Sequence, residues 1–270
     1  MPGIEAAGLS HIAERLVAAV REAGLLARSL FGTQLKNWTK GPSASPVSEA
    51  DIAVDKLLHE RLTGAADGFA WLSEESADDP KRLAARHVWI VDPIDGTRAY
   101  IAGLPDWAVS AALIEDGRPI AACLYAPVTE DFFMARAEGG ATRNGTQIAA
   151  TKGADLKDAR IAGPRNLLER LAAVVPPFTT MPRVRSLALR LAGVAHGTCD
   201  AAFAGGNSHD WDLAAADLLV HEAGGALTAF GGVSVTYNRP VPRHGMLVAA
   251  GRDRHAALIE LLGDGRLAFS

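Results

Sequence analysis

Val88-Trp89-Ile90-Val91-Asp92-Pro93-Ile94-Asp95-Gly96-Thr97 is the stretch on which the reading of this chain turns. Val88 to Val91 is a short apolar run of strand type, and it ends on two aspartates three positions apart. Pro93 stiffens the link between them. Gly96 permits a tight turn, and Thr97 can begin a short helix whose free N–H groups suit phosphate oxygens. Single acids at strand ends and helix starts ordinarily cap or solvate. A solvated loop, however, needs no such fixed six-residue sequence.

Outward from this run the same pattern repeats. Phe69–Ser73 is a second short strand and ends on Glu74 and Glu75. Further strands follow at Ala108–Ile114, Ile120–Tyr125 and Phe132–Ala135, with hairpin turns at Asp116-Gly117 and Asn144-Gly145. Upstream, Leu9, Ile12, Leu16 and Val20 predict a helix from about Ile4 to Leu30. Residues 37–46 carry glycine, prolines and serines and predict a loop or flexible hairpin. Ser48 is placed to cap a second helix, with Asp51 at the capping-box position, and that helix stops near Gly64.

Past residue 150 strands and helices alternate: a strand at Arg160–Ala162, helices near Leu167–Val174 and Leu187–His196, and a strand at Ala201–Phe203. A helix from Trp211 to Glu222 closes on Gly224-Gly225, then come a strand at Met246–Ala250 and a helix at His255–Leu262. The expectation is an antiparallel-rich α+β half over residues 1–150, carrying most of the acidic ligands, and an α/β half over 151–270, carrying Asp212.

The totals bound the function. The chain has 270 residues, 49% of them hydrophobic and 21% charged, with a formal net charge of −4. That balance points to neither nucleic acid nor an anionic membrane as partner. A phosphate site here must supply its own local positive charge. Cys123 and Cys199 lack CxxC spacing and read as buried thiols in a reducing cytoplasm. No signal peptide and no membrane-spanning run are expected. The histidines show no metal spacing.

Glu74, Asp92, Asp95 and Asp212 all stand at element ends. A sheet edge that delivers several carboxylates to one place makes an oxygen-rich pocket suited to a hard cation such as Mg²⁺. A dehalogenase-type aspartyl nucleophile is disfavoured, because that motif spaces its aspartates by two and here Pro93 intervenes. An EF-hand is disfavoured too, because alternate oxygen ligands are missing.

Trp71–Ser76, Trp89–Thr97, Trp211–Ala216 and Glu222–Gly225, in this order, resemble the inositol monophosphatase family. The resemblance implies a layered αβαβα fold and a Mg²⁺-dependent phosphomonoesterase acting on a small phosphate ester. Glu74, Asp92 and the Ile94 carbonyl would hold one Mg²⁺. Asp92, Asp95 and Asp212 would hold a second, and Glu74 would help with a third. Asp51 and Thr97 would orient and deprotonate the attacking water. The Gly96 and Thr97 amides would hold phosphate, with Lys40 nearby on a loop and Glu75 less directly involved. Inhibition by lithium and a homodimer are also implied.

This chain departs from the family pattern at several places. Ser73 replaces a usual glycine. Gly205 stands where inositol monophosphatases place a glutamate against substrate hydroxyls. Arg185-Ser186 replaces a Gly-Ser, and Arg185 is read either as a contact to a second phosphate or as a solvated arginine. These changes keep a 3'(2'),5'-bisphosphate nucleotidase and a histidinol-phosphate phosphatase open as alternatives. The tail Tyr237-Asn238-Arg239-Pro240 resembles the nucleotidase. A non-catalytic binding role, known for some members that join RNA polymerase complexes, can only be additional, since every ligand is present.

Overall fold

The computed structural model describes residues 6–41, 45–63 and 68–263. The expected helix start at Ile4, the loop centre Pro42-Ser43-Ala44 and the helix stop at Gly64 lie outside them. Helix α1 (Ala6–Leu30) leads into an antiparallel hairpin of β1 (Asn37–Lys40) and β2 (Ser45–Ser48), and then into α2 (Glu49–Thr63). Strand β3 (Ala70–Ser73) and a 3₁₀ turn at Pro80–Ala84 precede β4 (His87–Asp95) and the short α3 (Thr97–Ile101). Strands β5 (Ala108–Glu115), β6 (Arg118–Ala126), β7 (Asp131–Arg136), β8 (Gly140–Arg143) and β9 (Thr146–Gln147) complete a seven-stranded sheet in sequential order. Only β3 and β4 are parallel in it. Asp116 and Gly117, at φ 48° and 77°, and Asn144 and Gly145, at 51° and 78°, make the expected hairpin turns. A paired positive φ matches the twist of the strands they join.

The rest of the chain runs β10 (Arg160–Ala162), α4 (Arg165–Ala172), β11 (Thr179–Thr180), α5 (Leu187–Ala195), β12 (Ala201–Ala204), β13 (Ser208–His209) and α6 (Asp210–Glu222). It closes with β14 (Gly225–Ala229), β15 (Arg243–His244), β16 (Leu247–Gly251) and α7 (Arg252–Gly263). The second sheet has the order β11-β10-β12-β16-β14, and β13 pairs separately with β15.

Strand alternation sorts the side chains into layers. In β4, Trp89 and Val91 join the core under α1 and α2, while Val88 and Ile90 face the other way. In β12, Ala202 and Ala204 share that second core, while Ala201 and Phe203 face α4 and α7. Helices α5 and α6 therefore lie between the two sheets, and the architecture is αβαβα. The middle layer is thin because its helices are alanine-rich: Ala188, Ala192, Ala195, Ala214, Ala215 and Ala216 are all buried. Small side chains let two sheets close on one helical layer at interior packing density.

Several features depart from the sequence expectation, among them the short paired strands β13 and β15 and the start of α7 at Arg252. Strand β14 begins on Gly225 itself, which was read only as a helix stop; a Cβ there would lie 2.8 Å from the Ala250 carbonyl oxygen. The edge strand β11 is two residues long and carries no apolar alternation. Helix α6 starts one residue earlier than expected, at Asp210. The passage between the sheets is fastened by Asp200, which accepts from Thr151 (2.8 Å) and from the Arg160 amide (2.7 Å) and guanidinium (3.0 Å). Burial would raise the Asp200 pKa, but these donors outweigh it and bring it down to about 2.

Candidate active site

The site begins where β3 and β4 end side by side. Ser73 pairs with Val91, and the Glu74 amide donates to the Val91 carbonyl at 3.3 Å. Glu74 and Asp92 therefore leave the sheet at the same edge. Beyond Asp92 the pairing of β4 with β5 slips before resuming at Asp95, so the strand bulges between the two aspartates. Such bulges re-aim side chains. The Ile94 amide donates to Asp92 Oδ1 at 3.0 Å and fixes that carboxylate from within its own turn.

Asp95 reaches across to the middle layer. Its carboxylate accepts from the Ser186 hydroxyl and from the Ala188 amide (2.7 Å) and Leu187 amide (3.3 Å), the opening residues of α5. Ser186 in turn caps α5 by accepting from the Leu189 amide at 3.0 Å. Asp212 sits in the first turn of α6 and accepts from the His209 amide at 2.6 Å. Oxygens of Asp92, Asp95 and Asp212 lie within 4.8 Å of one another. Burial, and then the neighbouring carboxylates, push Asp92 well above the usual range. Burial and Asp212 push Asp95 up to about 7, against the pull of its α5 donors. Burial also raises Glu74, opposed by Lys40.

Asp51 and Thr97 meet where the turn that follows Asp92 ends. Thr97 Oγ1 lies 3.0 Å from Asp51 Oδ1 and 3.0 Å from the Ile94 carbonyl oxygen. Asp51 also accepts from the Ser48 amide (2.8 Å) and hydroxyl (2.6 Å). The Ser48 amide to Asp51 bond is the side-chain limb of the expected capping box. Burial raises the Asp51 pKa against these bonds. Lys40, at the end of β1, donates to the Glu74 carbonyl (2.9 Å) and to Glu75 Oε1 (2.6 Å), and lies 3.3 Å from Glu74 Oε1. Burial pushes Glu75 up to about 7 despite that lysine.

The departures from the family pattern also find places. Ser73 and Ser76 both donate to the buried Asp55, so the serine at the usual glycine ties β3 to α2. Arg185 binds Asp106 through its amide (2.7 Å) and its guanidinium (3.4 Å). Gly205 lines a cavity of about 120 Å³ with Pro164, Leu167 and Met246. Sequence reasoning missed Asp106, which carried no signal because its partner is far along the chain. It also missed Asp210, which was hidden beside the more conspicuous Trp211-Asp212.

This five-layer fold, with acids from a sheet edge and from a middle-layer helix converging on one point, has the architecture expected of the sugar-phosphatase type. The chain belongs to the inositol monophosphatase family, whose profile matches residues 9–265. An inositol-1-monophosphatase of Rhizobium meliloti is 36% identical over 221 residues, covering 78% of this chain and 82% of that protein. A histidinol-phosphatase of Mycobacterium tuberculosis is 34% identical, covering 84% and 90% respectively. The crystal structure of the extragenic suppressor protein suhB from Bartonella henselae superposes with a TM-score of 0.80 at 30% identity, covering 93% of this chain and 98% of that one. The chain is thus a phosphatase of small phosphate esters.

Proposed function

We propose that this phosphatase works with Mg²⁺ and acts on a monophosphate of a small polar alcohol. The observation that carries the metal is the Asp92, Asp95 and Asp212 triangle. Three carboxylates this close, two of them buried and Asp212 partly so, repel one another and resist ionising, and an all-oxygen donor set suits a hard divalent ion. Asp92, Asp95 and Asp212 would hold one ion, and Glu74, Asp92 and the Ile94 carbonyl another, with Glu74 also available to a third. When bound, the ions offset the negative charge of phosphate and lower the pKa of water.

The protein's own groups then do the following. Thr97 Oγ1 accepts a proton from the attacking water and passes its own to Asp51, 3.0 Å away. Burial has already made Asp51 a stronger base than an ordinary carboxylate. Oxygen bonds to phosphorus as the ester bond breaks in line, and the departing alkoxide takes a proton from solvent. Gly96 and Thr97 present backbone amides to the phosphate. Lys40 holds Glu74 and Glu75 in place from the hairpin. The leaving alcohol faces the Arg185, Ser186 and Gly205 side. Arg185 is already engaged by Asp106, which supports a substrate with one phosphate over a bisphosphate. Lithium inhibition, a homodimer and a cytoplasmic setting belong to the same proposal.

Phosphate release from myo-inositol 1-phosphate, histidinol phosphate and 3'-phosphoadenosine 5'-phosphate, each with Mg²⁺ or EDTA, tests it. The expected result is Mg²⁺-dependent turnover of a monophosphate that is abolished in Asp95→Asn and suppressed by lithium. Turnover that survives EDTA, or an unaffected Asp95→Asn, overturns the metal assignment. Preference for the bisphosphate overturns the substrate assignment.

A further inference from the structure

We infer that Asp210 is a positioning residue for the metal site: together with His244 and Asn238 it fixes the start of α6 and so sets where Asp212 points. The inference rests on Asp212 being a metal ligand.

Asp210 is fully buried, and among the described residues no lysine or arginine forms an ion pair with it; its partner is His244. A carboxylate in that position is tolerated only if its oxygens are met by donors. Both are: His244 Nε2 lies 2.6 Å from Oδ1, and the Asn238 amide donates to Oδ2 at 2.7 Å. The backbone is laced in the same place. The Asp210 amide donates to the Pro242 carbonyl at 3.1 Å, the Asn207 amide donates to the His244 carbonyl at 2.9 Å, and Ser208 pairs with His244 across β13 and β15. The first amides of a helix lack intrahelical partners, so its first turn is its loosest part. Asp212 lies in that turn, and Asp210 anchors the turn from the buried side.

The anchor continues beyond α6. Asn238 exchanges two hydrogen bonds with Arg82: its side-chain oxygen accepts from the guanidinium (2.8 Å) and its amide nitrogen donates to the Arg82 carbonyl (2.9 Å). Arg82, with a side chain only 1% exposed, is paired with Asp78. Tyr237 donates to Asp217 at 2.8 Å, so the same tail segment grips α6 again further along. An unbroken polar path therefore links the stretch that follows Glu74 and Glu75 to the residue two before Asp212. Outer partners of this kind orient a ligand, and their loss typically weakens metal binding about 10–100-fold.

The test is calorimetric titration of the metal-free protein with Mn²⁺ alone, run beside the Mg²⁺ dependence of turnover. Asp210→Ala should bind Mn²⁺ at least about tenfold more weakly, and should need correspondingly more Mg²⁺ for half-maximal rate, with a much smaller change in the maximal rate. Asp210→Asn keeps the shape and an acceptor for the Asn238 amide, and should recover most of the affinity. If Asp210→Ala does not fold, His244→Ala at the partly exposed end of the pair is read by the same criteria. A variant that melts earlier but binds Mn²⁺ like the parent overturns the inference. Asp212→Asn is the control: if it too binds Mn²⁺ normally, the ligand reading itself has failed, and the two failures are told apart.

Discussion

At Gly96 the backbone turns with φ 98°, and the Asp106 carbonyl oxygen stands 2.9 Å from where a Cβ would be. Alanine there meets both an unfavourable backbone region, worth about 1–2 kcal/mol, and a backbone atom that cannot yield. Gly96→Ala is expected to lower stability by at least that amount and to displace Thr97 from Asp51. Thermal melting and phosphate release should both fall; a variant that melts and turns over like the parent would show that the turn is not strained. Gly96, Asp92 and Asp95 were legible in the sequence because consecutive residues carry the signal. Asp106 and Asp210 were not, because each acts through a partner brought in by the fold: Arg185 for one, His244 and Asn238 for the other.

Among the elements, α5 shows how one acid serves two purposes. Its opening amides at Leu187 and Ala188 donate to Asp95 of β4, and Ser186 both caps the helix and donates to Asp95. Ser186→Ala removes a cap worth about 1 kcal/mol and frees one oxygen of a candidate ligand. The expected outcome is a destabilisation of that order together with a raised Mg²⁺ requirement; a lower melting point with an unchanged requirement would confine Ser186 to capping. The seven helices among the described residues all answer to expected segments, from apolar spacing, from the Ser48 cap or, for α3, from the turn at Gly96, with ends shifted by a few residues. The two-residue strands β13 and β15 escaped notice, as did β14 and β11. Strand β14 opens on a glycine needed for close approach to Ala250, and β11 is two exposed threonines held by parallel pairing with Arg160 and Ile161.

At the scale of the whole molecule, the acids are crowded by the docking of β4 against α6. Without metal, that crowding makes stability depend on pH. The folded-state pKa of Asp95 is pushed to about 7 against an ordinary value of 3.8, so the folded state holds a proton that the unfolded state has released. Its contribution is fully present below about pH 4 and is lost as pH rises toward about 7. Raised values at Asp92 and Glu74 act in the same direction. In EDTA the melting temperature should fall between about pH 5 and about pH 7.5, and saturating Mg²⁺ should remove most of the fall. A metal-free protein whose melting point is flat or rises over that interval would contradict the crowding.

The order of the layers has a consequence for assembly. Asp92 and Asp95 belong to the first sheet, whereas Asp212 rides on a helix that is buried only when the second sheet closes over it. No partial structure lacking that closure contains the triangle. Long-range docking of this kind slows folding, and a chain whose sheets are still apart is catalytically silent rather than wrongly active. The active centre thereby doubles as a checkpoint on its own completion.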